Sequence, residues 1–242
     1  MLQIVDLHVR YATAEAVRGV SLSASPGRVT LVLGANGAGK TSTLRAAAGL
    51  VPVHAGRVTL DGRDVTGLAP HRIVRAGAVL VPEGRRVFAP LTVEENLVLG
   101  GYTVSRERSA ETLERVYGMF PILRERRGGP AGLLSGGEQQ MLAFGRALMS
   151  SPRAIMLDEP SMGLAPTMVE SVLEAVRAMA DDGLSVLLVE QNAELGLEVA
   201  DDVVAMARGE VVFTGPAGRA RSHASVLRAF LGEAALTGSD PR

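Results

Sequence analysis

The sequence predicts an α/β fold in which a parallel sheet forms the core, antiparallel strands precede it, and a helical segment is inserted into it. Short apolar runs indicate buried parallel strands, at residues 28–33, 78–82, 153–157 and 185–189. Residues 2–11 and 56–61 predict antiparallel strands towards the N-terminus. Residues from about 90 to 150 predict the helical insertion, so we expect a single domain whose core comprises 1–89 and 151–242.

The composition excludes several classes of protein. With 242 residues, of which 47% are hydrophobic, the chain can bury a substantial core. It has no run of about 18 apolar residues, the length that a membrane-spanning helix needs, and its N-terminus, MLQIVDLHVR, lacks the pattern of a signal peptide. The lack of cysteine excludes disulfides and thiolate metal sites, and a formal net charge of -1 gives no indication of a nucleic-acid surface. We therefore expect a cytoplasmic protein with no nucleic-acid partner.

A glycine-rich loop joins the first buried strand to a helix. The strand at 28–33 and an alanine-rich helix expected at 41–48 flank the loop GANGAGKT. This loop matches the pattern G-x-x-x-x-G-K-[ST] in the context that a phosphate-binding loop (P-loop) requires. Its backbone N–H groups and the helix N-terminus can surround the phosphates of a nucleotide such as ATP. The candidate binding residues are Gly34, Ala35, Asn36, Gly37, Ala38, Gly39, Lys40, Thr41 and Ser42.

Lys40 is the only lysine in the chain, since 24 of the 25 Lys and Arg residues are arginine. A compact ammonium fits between phosphate oxygens where a planar guanidinium does not. We therefore expect Lys40 to bridge the β- and γ-phosphates, the Thr41 hydroxyl to ligate Mg²⁺, and Ser42 to add a phosphate contact.

Two carboxylates follow the third apolar run. Asp158 and Glu159 come directly after residues 153–157, and Pro160 ends the run. Ligands of parallel α/β sheets bind at the carboxyl ends of the strands, so Asp158 can hold Mg²⁺ beside the phosphate loop. Glu159 is then free to orient or deprotonate the attacking water. These features alone do not separate a kinase, a GTPase and a transporter motor.

A third motif separates these classes. Leu134 to Gln140 read LSGGEQQ, and Met141, Phe144 and Leu148 fall on one face of the helix that follows. The motif resembles the LSGGQ signature of the ATP-binding-cassette (ABC) ATPases, with Glu138 at the usual glutamine position, and the resemblance covers nearly the whole chain. It implies an ATP hydrolase with a RecA-like core.

The resemblance also implies a second nucleotide contact, made across a head-to-tail dimer. The residues that would close over ATP bound to the other subunit are Ser135, Gly136, Gly137 and Glu138. By the same resemblance, Tyr11 would stack on adenine. The segment SMGLAP, residues 161–166, would link the two nucleotide sites across the dimer.

Two further positions depart from the family pattern. Glu83 stands where most members have a glutamine, and it can still approach Mg²⁺ or the attacking water. Gln191 stands where most members have a histidine that contacts the γ-phosphate. Glutamine can hydrogen-bond a phosphate, but it cannot carry a proton or a positive charge. These departures would allow catalysis at this site to be slower than at a partner's site.

The wider sequence narrows the resemblance to one subfamily. VPEGRRVFAPLTVEENL (Val81–Leu97), LLSGGEQQMLAFGRALM, LDEPSMGLAP and LVEQNAELGLEVAD are similar to the second ATP-binding subunit of branched-chain amino-acid importers, the LivF type. The agreement extends to a hairpin around Arg208 and Gly209. The resemblance implies a sister ABC ATPase subunit, two transmembrane permease subunits and, indirectly, a substrate-binding protein. It would place the chain peripherally on the inner face of the cell membrane.

The remaining patterns predict structure without a chemical role. Thr92 and Glu95 predict a capping box for a helix through Leu97. A helix at 167–180 has apolar residues at buried spacing, and Gly183 follows its end. The C-terminal segment TGSDPR is expected to fray.

Other interpretations of the function stay open. Related importers carry urea, amides or other amino acids, and a lipid exporter is not excluded by the residues. A soluble ABC ATPase of DNA repair or of the ribosome usually fuses two cassettes or carries basic or coiled-coil insertions, which this sequence lacks. A small-molecule kinase would have no use for LSGGEQQ.

Overall fold

The computed structural model describes residues 1–222, so the predicted fraying of TGSDPR lies outside the described residues. The strands of this part of the chain are β1 (Leu2–Tyr11), β2 (Ala14–Ala24), β3 (Val29–Leu33), β4 (Ala55–Leu60), β5 (Arg63–Asp64), β6 (Ala78–Val81), β7 (Ala154–Asp158), β8 (Ser185–Glu190), β9 (Asp202–Ala207) and β10 (Glu210–Pro216). The helices are α1 (Lys40–Ala47), α2 (Pro70–Ala76), α3 (Val93–Gly100), α4 (Arg106–Met119), α5 (Pro121–Glu125), α6 (Gly136–Leu148), α7 (Pro166–Asp181), α8 (Ala193–Val199) and α9 (Ala217–Ser222).

An antiparallel sheet with the strand order β2-β1-β4-β5 forms one layer. The two strands predicted for this region are confirmed, because β1 and β4 match them within one residue. The long strand β2 was not predicted. Gly19 adopts a left-handed φ of 66° within β2, and the pairing with β1 shifts register, so the strand lacks the regular alternation that identifies a half-buried strand from sequence.

The second sheet has the order β10-β9-β3-β8-β7-β6 and is parallel from β9 to β6. All four predicted parallel strands are confirmed. Every residue of β3, β7 and β8 is buried, as expected for strands covered on both faces. The carboxyl ends of β3, β8, β7 and β6 therefore lie in a row along one edge of the sheet. The chain segments that follow these four ends form the candidate site.

Helices α3 to α6 occupy the region predicted as a helical insertion. The capping box of α3 is present, because the Thr92 backbone N–H donates to Glu95 Oε2 over 2.7 Å and Glu95 N–H donates to Thr92 Oγ1 over 3.1 Å. In α6, Phe144 is fully buried, while Met141 and Leu148 are only partly buried. The predicted helix at 167–180 is α7, with Gly183 in a left-handed conformation after its end. Within residues 1–222, no helix combines the length and apolar character needed to cross a bilayer.

Candidate active site

A cavity of about 490 Å³ opens beside the carboxyl ends of the parallel strands. It is lined by Tyr11, Ala16, Asn36, Gly37, Ala38, Gly39, Lys40, Thr41, Ser42, Glu83, Glu159, Met162 and Gln191. Ala16 and Met162 are the two lining residues that were not among the predicted site residues. Ala16 lies on the unpredicted strand β2, and Met162 belongs to the SMGLAP segment, whose individual side chains the sequence motif does not assign.

The loop between β3 and α1 needs its glycines for two different reasons. Gly37 and Gly39 have left-handed φ values of 80° and 101°, which strain residues with a side chain. Gly34 is required by a close approach instead, since an added Cβ would lie 2.6 Å from the Met206 carbonyl oxygen. The loop therefore holds its backbone against β9 and turns sharply into α1.

The N-terminus of α1 is arranged to receive an anion. Gly39 is its N-cap residue, no side chain among residues 1–222 caps it by a hydrogen bond, and its first turn contains no acidic residue. The first N–H groups of a helix have no partner within the helix, and the helix dipole places partial positive charge there. A phosphate group can supply both the missing acceptors and the negative charge.

Lys40 is the first residue of α1, and its side chain is only 4% exposed. Its Nζ donates to the Gly34 carbonyl oxygen over 2.7 Å and to the Ala35 carbonyl oxygen over 3.4 Å. The same Nζ lies 3.4 Å from Glu159 Oε1. The ammonium is thus held at the cavity wall by the loop backbone and by the predicted catalytic carboxylate.

Thr41 and Asp158 meet beside Lys40. The Thr41 hydroxyl donates to Asp158 Oδ1 over 3.0 Å, and Asp158 is 3% exposed. Burial raises the pKa of Asp158, the hydrogen bond from Thr41 lowers it, and the carboxylates of Glu159 and Glu83 raise it. A bound cation would favour the charged form of such a carboxylate.

The oxygen atoms of three side chains at this site suit Mg²⁺ as ligands. Thr41, Asp158 and Glu83 offer hydroxyl and carboxylate oxygens, which are the hard ligands that Mg²⁺ prefers. Magnesium usually takes one or two protein carboxylates and completes its octahedron with phosphate oxygens and water. The three side chains thus match a Mg²⁺–nucleotide site better than a cage built from protein ligands alone.

Glu159 follows β7 in a strained conformation. Its φ is 48°, in the left-handed region that residues with a side chain seldom adopt. Its backbone N–H donates to the Val189 carbonyl oxygen of β8 over 3.0 Å. Strain of this kind persists only where the surroundings enforce it, and it is common at functional sites.

Glu83 and Gln191 complete the cavity from two further strand ends. Glu83 is exposed and lies two residues after β6, while Gln191 directly follows β8 and is partly buried. Both line the same cavity as the phosphate loop and Glu159. That Glu83 and Gln191 take the places of the glutamine and the histidine of other family members stays a prediction.

The signature residues do not line this cavity. Ser135 is the N-cap of α6, and its backbone N–H donates to Glu138 Oε2 over 2.7 Å, so Glu138 takes part in a capping box. An added Cβ on Gly137 would lie 1.9 Å from Met168 Cε, and one on Gly136 would lie 3.2 Å from the Arg85 guanidinium. Close packing against Met168 accounts for Gly137, whereas the far end of the flexible Arg85 side chain can move aside at Gly136. That this helix end serves a partner's nucleotide stays a prediction.

Ser161 and Glu190 form a buried pair beside the cavity that the sequence analysis did not assign. Ser161 is 8% exposed and Glu190 is 2% exposed. Glu190 ends β8 as Asp158 ends β7, so an acidic residue closing an apolar run was a signal at both places. The partner of Glu190, in contrast, could be found only from the structure.

The sequence and the structure of this chain are similar to the same kind of known protein. The family model described as ABC transporter matches residues 17–162. The fold resembles the crystal structure of the ADP conformation of an ATP-binding cassette of an ABC transporter, with a TM-score of 0.86, 26% sequence identity, and coverage of 96% of this chain and 99% of that chain.

Three curated relatives match nearly the whole chain. The chain is 39% identical to the high-affinity branched-chain amino acid transport ATP-binding protein BraG of Pseudomonas aeruginosa, over 96% of this chain and 100% of the relative. It is 37% identical to the probable branched-chain amino acid transport ATP-binding protein LivF of Archaeoglobus fulgidus, over 96% and 99%. It is 30% identical to the lipopolysaccharide export system ATP-binding protein LptB of Haemophilus influenzae, over 96% and 98%.

Proposed function

We propose, given that this chain belongs to the ABC transporter family and is an ATP hydrolase, that it powers an importer of branched-chain amino acids. The observation that carries the proposal is the match to BraG, which is 39% identical and is aligned over its entire length. The second relative, LivF, matches over almost the same span. The transported solute is inferred from these relatives alone, because the ATP-binding subunit does not need to contact it.

The cavity beside the phosphate loop binds ATP in this proposal. Lys40 and the N-terminus of α1 contact the β- and γ-phosphates, since the buried ammonium and the uncapped helix end share one wall. Tyr11, which is 42% exposed at the cavity rim, offers an aromatic face for adenine. Thr41, Asp158 and Glu83 hold Mg²⁺, which would neutralise charge on the phosphate oxygens.

Glu159 is the catalytic carboxylate in this proposal. It faces the cavity next to Lys40, so it can orient the attacking water near a phosphate that Lys40 holds, or accept the water's proton. Gln191 can donate its amide N–H to the γ-phosphate from the end of β8, but it cannot transfer a proton. Because glutamine cannot carry the positive charge that a histidine can, Gln191 is consistent with slower ATP hydrolysis at this site.

The proposed function also requires a dimer, because the signature residues do not line the cavity of their own chain. We propose that Ser135, Gly136 and Gly137 contact the nucleotide of a sister ATPase subunit, and that ATP closes the two chains head to tail. The capping box uses the N–H group of Glu138, while Ser135 is exposed and Gly136 is partly buried at the beginning of α6, so this helix end can meet a phosphate. Closure on ATP and reopening after hydrolysis would supply the mechanical step.

We also propose that residues 90–150 form the helical signature subdomain, with the described parts of 1–89 and 151–242 as the core. A groove of about 350 Å³ lies between the two parts and is lined mainly by apolar residues. Phe88, Leu99 and Tyr102 line it and are 50%, 46% and 66% exposed. Such a surface suits a cytoplasmic helix of a permease subunit, which would hold this chain on the inner face of the membrane.

Uptake of labelled amino acids tests the function. In a strain that lacks this chain, uptake of leucine, isoleucine and valine at low concentration should fall, and it should return with the wild-type chain. The variant Lys40→Ala should not restore it, while Gly62→Ala, on an exposed turn far in sequence from every proposed site residue, should. Unchanged uptake of all three amino acids in the deletion strain would contradict import.

A second candidate function is export of a lipid, which the match to LptB favours. That relative covers the chain as fully as BraG does but is less similar, at 30% against 39% identity. The deletion strain separates the two candidates. A lipid accumulating in the membrane of that strain, with amino-acid uptake intact, would support export.

A further inference from the structure

A bidentate hydrogen bond joins two segments of the site that are 29 residues apart in the sequence. The Ser161 backbone N–H donates to Glu190 Oε1 over 3.1 Å, and the Ser161 hydroxyl donates to Glu190 Oε2 over 2.8 Å. Gln191 directly follows Glu190 in the chain, so the backbone also ties the two residues together. The Ser161 and Glu190 side chains are both buried, so water does not compete strongly for their hydrogen bonds.

The segment that this pair fastens carries the proposed catalytic residue. Glu159 has a left-handed φ, and its strained backbone needs neighbours that hold it in place. The Glu159 N–H bond to Val189 anchors the beginning of the segment to β8. The Ser161 bonds to Glu190 anchor it again two residues later, on the next residue of the same strand.

We propose that Glu190 is a positioning residue for ATP hydrolysis, whose buried carboxylate fixes the segment 159–162 and ties it to Gln191. The inference rests on the proposed role of Glu159. Glu190 itself does not line the cavity, whereas Glu159, Met162 and Gln191 do. One carboxylate therefore sets the spacing between the residue that acts on water and the residue that faces the γ-phosphate.

A carboxylate suits this task because each of its oxygens accepts a hydrogen bond from a different donor on Ser161. A glutamine can keep both links, since its carbonyl oxygen accepts from the Ser161 N–H and its amide can donate to the Ser161 hydroxyl. A leucine of similar size can keep neither. The variant Ser161→Ala keeps the hydrogen bond from the backbone N–H and loses the one from the hydroxyl.

The test measures ATP turnover and ATP binding of the full chain with Glu190→Leu, Glu190→Gln and Ser161→Ala. We expect Glu190→Leu to lower kcat about tenfold or more while the Kd for ATP changes less than about threefold, because positioning acts on the transition state. Glu190→Gln should retain at least about half of kcat, and Ser161→Ala should lie between the two. The double variant Glu190→Leu/Ser161→Ala should be no slower than Glu190→Leu.

Two controls separate positioning from general loss of stability. Val186→Ala removes buried side-chain atoms at the opposite end of β8 and should lower the unfolding temperature without lowering kcat. If Glu190→Leu does not fold, kcat for Ser161→Ala decides, because this variant loses one of the two hydrogen bonds, and Glu190→Gln, which can keep both, serves as its control. Wild-type kcat in Ser161→Ala, or a loss of kcat in Val186→Ala as large as the loss in Glu190→Leu, would overturn the inference.

A separate variant, Glu159→Gln, tests the proposed role of Glu159. If Glu159→Gln turns over ATP at the wild-type rate, that role is wrong whatever Glu190 does. If Glu159→Gln is inactive and Glu190→Leu has normal kcat, only the positioning role of Glu190 is overturned.

Discussion

Lys40 contacts Glu159 directly, with 3.4 Å between the ammonium nitrogen and Oε1. The lysine begins α1 and the glutamate follows β7, so this contact joins the phosphate loop to the segment after the acidic strand. A phosphate that takes the ammonium as its partner competes with Glu159 for this contact. We therefore expect phosphate binding to release the carboxylate to act on water, which couples the two roles proposed above.

Replacing the catalytic carboxylate should stop hydrolysis without preventing ATP binding. For Glu159→Gln we expect phosphate release to fall by at least about a hundredfold, because the amide cannot accept the proton of the attacking water. Binding should persist, since Lys40 keeps its bonds to Gly34 and Ala35. A phosphate-release assay and sedimentation with the sister subunit measure turnover and an ATP-held dimer. Normal turnover in this variant would contradict the assignment.

Replacing the lysine should weaken ATP binding. Lys40→Ala removes the ammonium, and Lys40→Arg places a planar guanidinium where the side chain is only 4% exposed. We expect both changes to raise the Kd for ATP at least about tenfold, measured by calorimetry. Arg72→Ala, which removes an exposed cation from α2, serves as the control and should bind as the wild type does. Equal affinity in all three variants would refute the phosphate cradle.

Adding one methyl group to the phosphate loop should destabilise the protein. Gly39→Ala forces a side chain into a φ of 101° and brings its Cβ within 2.6 Å of the Ala16 carbonyl oxygen. The matched change Gly62→Ala also occurs at positive φ, 78°, but its Cβ meets nothing within 4 Å. In urea unfolding, we expect Gly39→Ala to lose about 2 to 3 kcal/mol and Gly62→Ala about 1 kcal/mol. Equal losses would mean that the close approach to Ala16 does not constrain the loop.

Stability should depend on pH through Glu190. Burial, and to a lesser extent the charge of Glu159, raises the pKa of its carboxyl from 4.5 to about 7, against the hydrogen bonds from Ser161. A raised pKa in the folded state means that the contribution to stability is fully present below pH 4.5 and is lost as the pH rises through about 7. The loss is of the order of 3 kcal/mol.

The variant Glu190→Gln isolates this effect, because its amide does not titrate. We expect the free energy of unfolding of the wild type to fall relative to that of Glu190→Gln between about pH 5 and pH 8. In about this interval the folded and unfolded states of the wild type bind different numbers of protons at Glu190. Urea titrations of both proteins at several pH values measure the difference. A constant difference across that range would show that Glu190 is ionised at its ordinary pKa.

The predicted and observed structures agree best where the signal is local. The phosphate loop depends on the order of residues within one short segment, and the capping box of α3 depends on two residues three positions apart. The strands β3, β7 and β8 are apolar throughout because both faces are covered, so their runs stand out in the sequence. The strand β2 escaped prediction because Gly19 interrupts its alternation.

The sequence by itself determined the family, the phosphate loop, the acidic pair at Asp158 and Glu159, and the unusual residues Glu83 and Gln191. These follow from residue types at fixed spacings, which the chain carries however it is folded. Only the tertiary structure decided that Ala16 and Met162 line the cavity, that Lys40 contacts Glu159, and that Glu190 holds Ser161. Such contacts join distant segments, and they exist because the sheet places β3, β8 and β7 side by side.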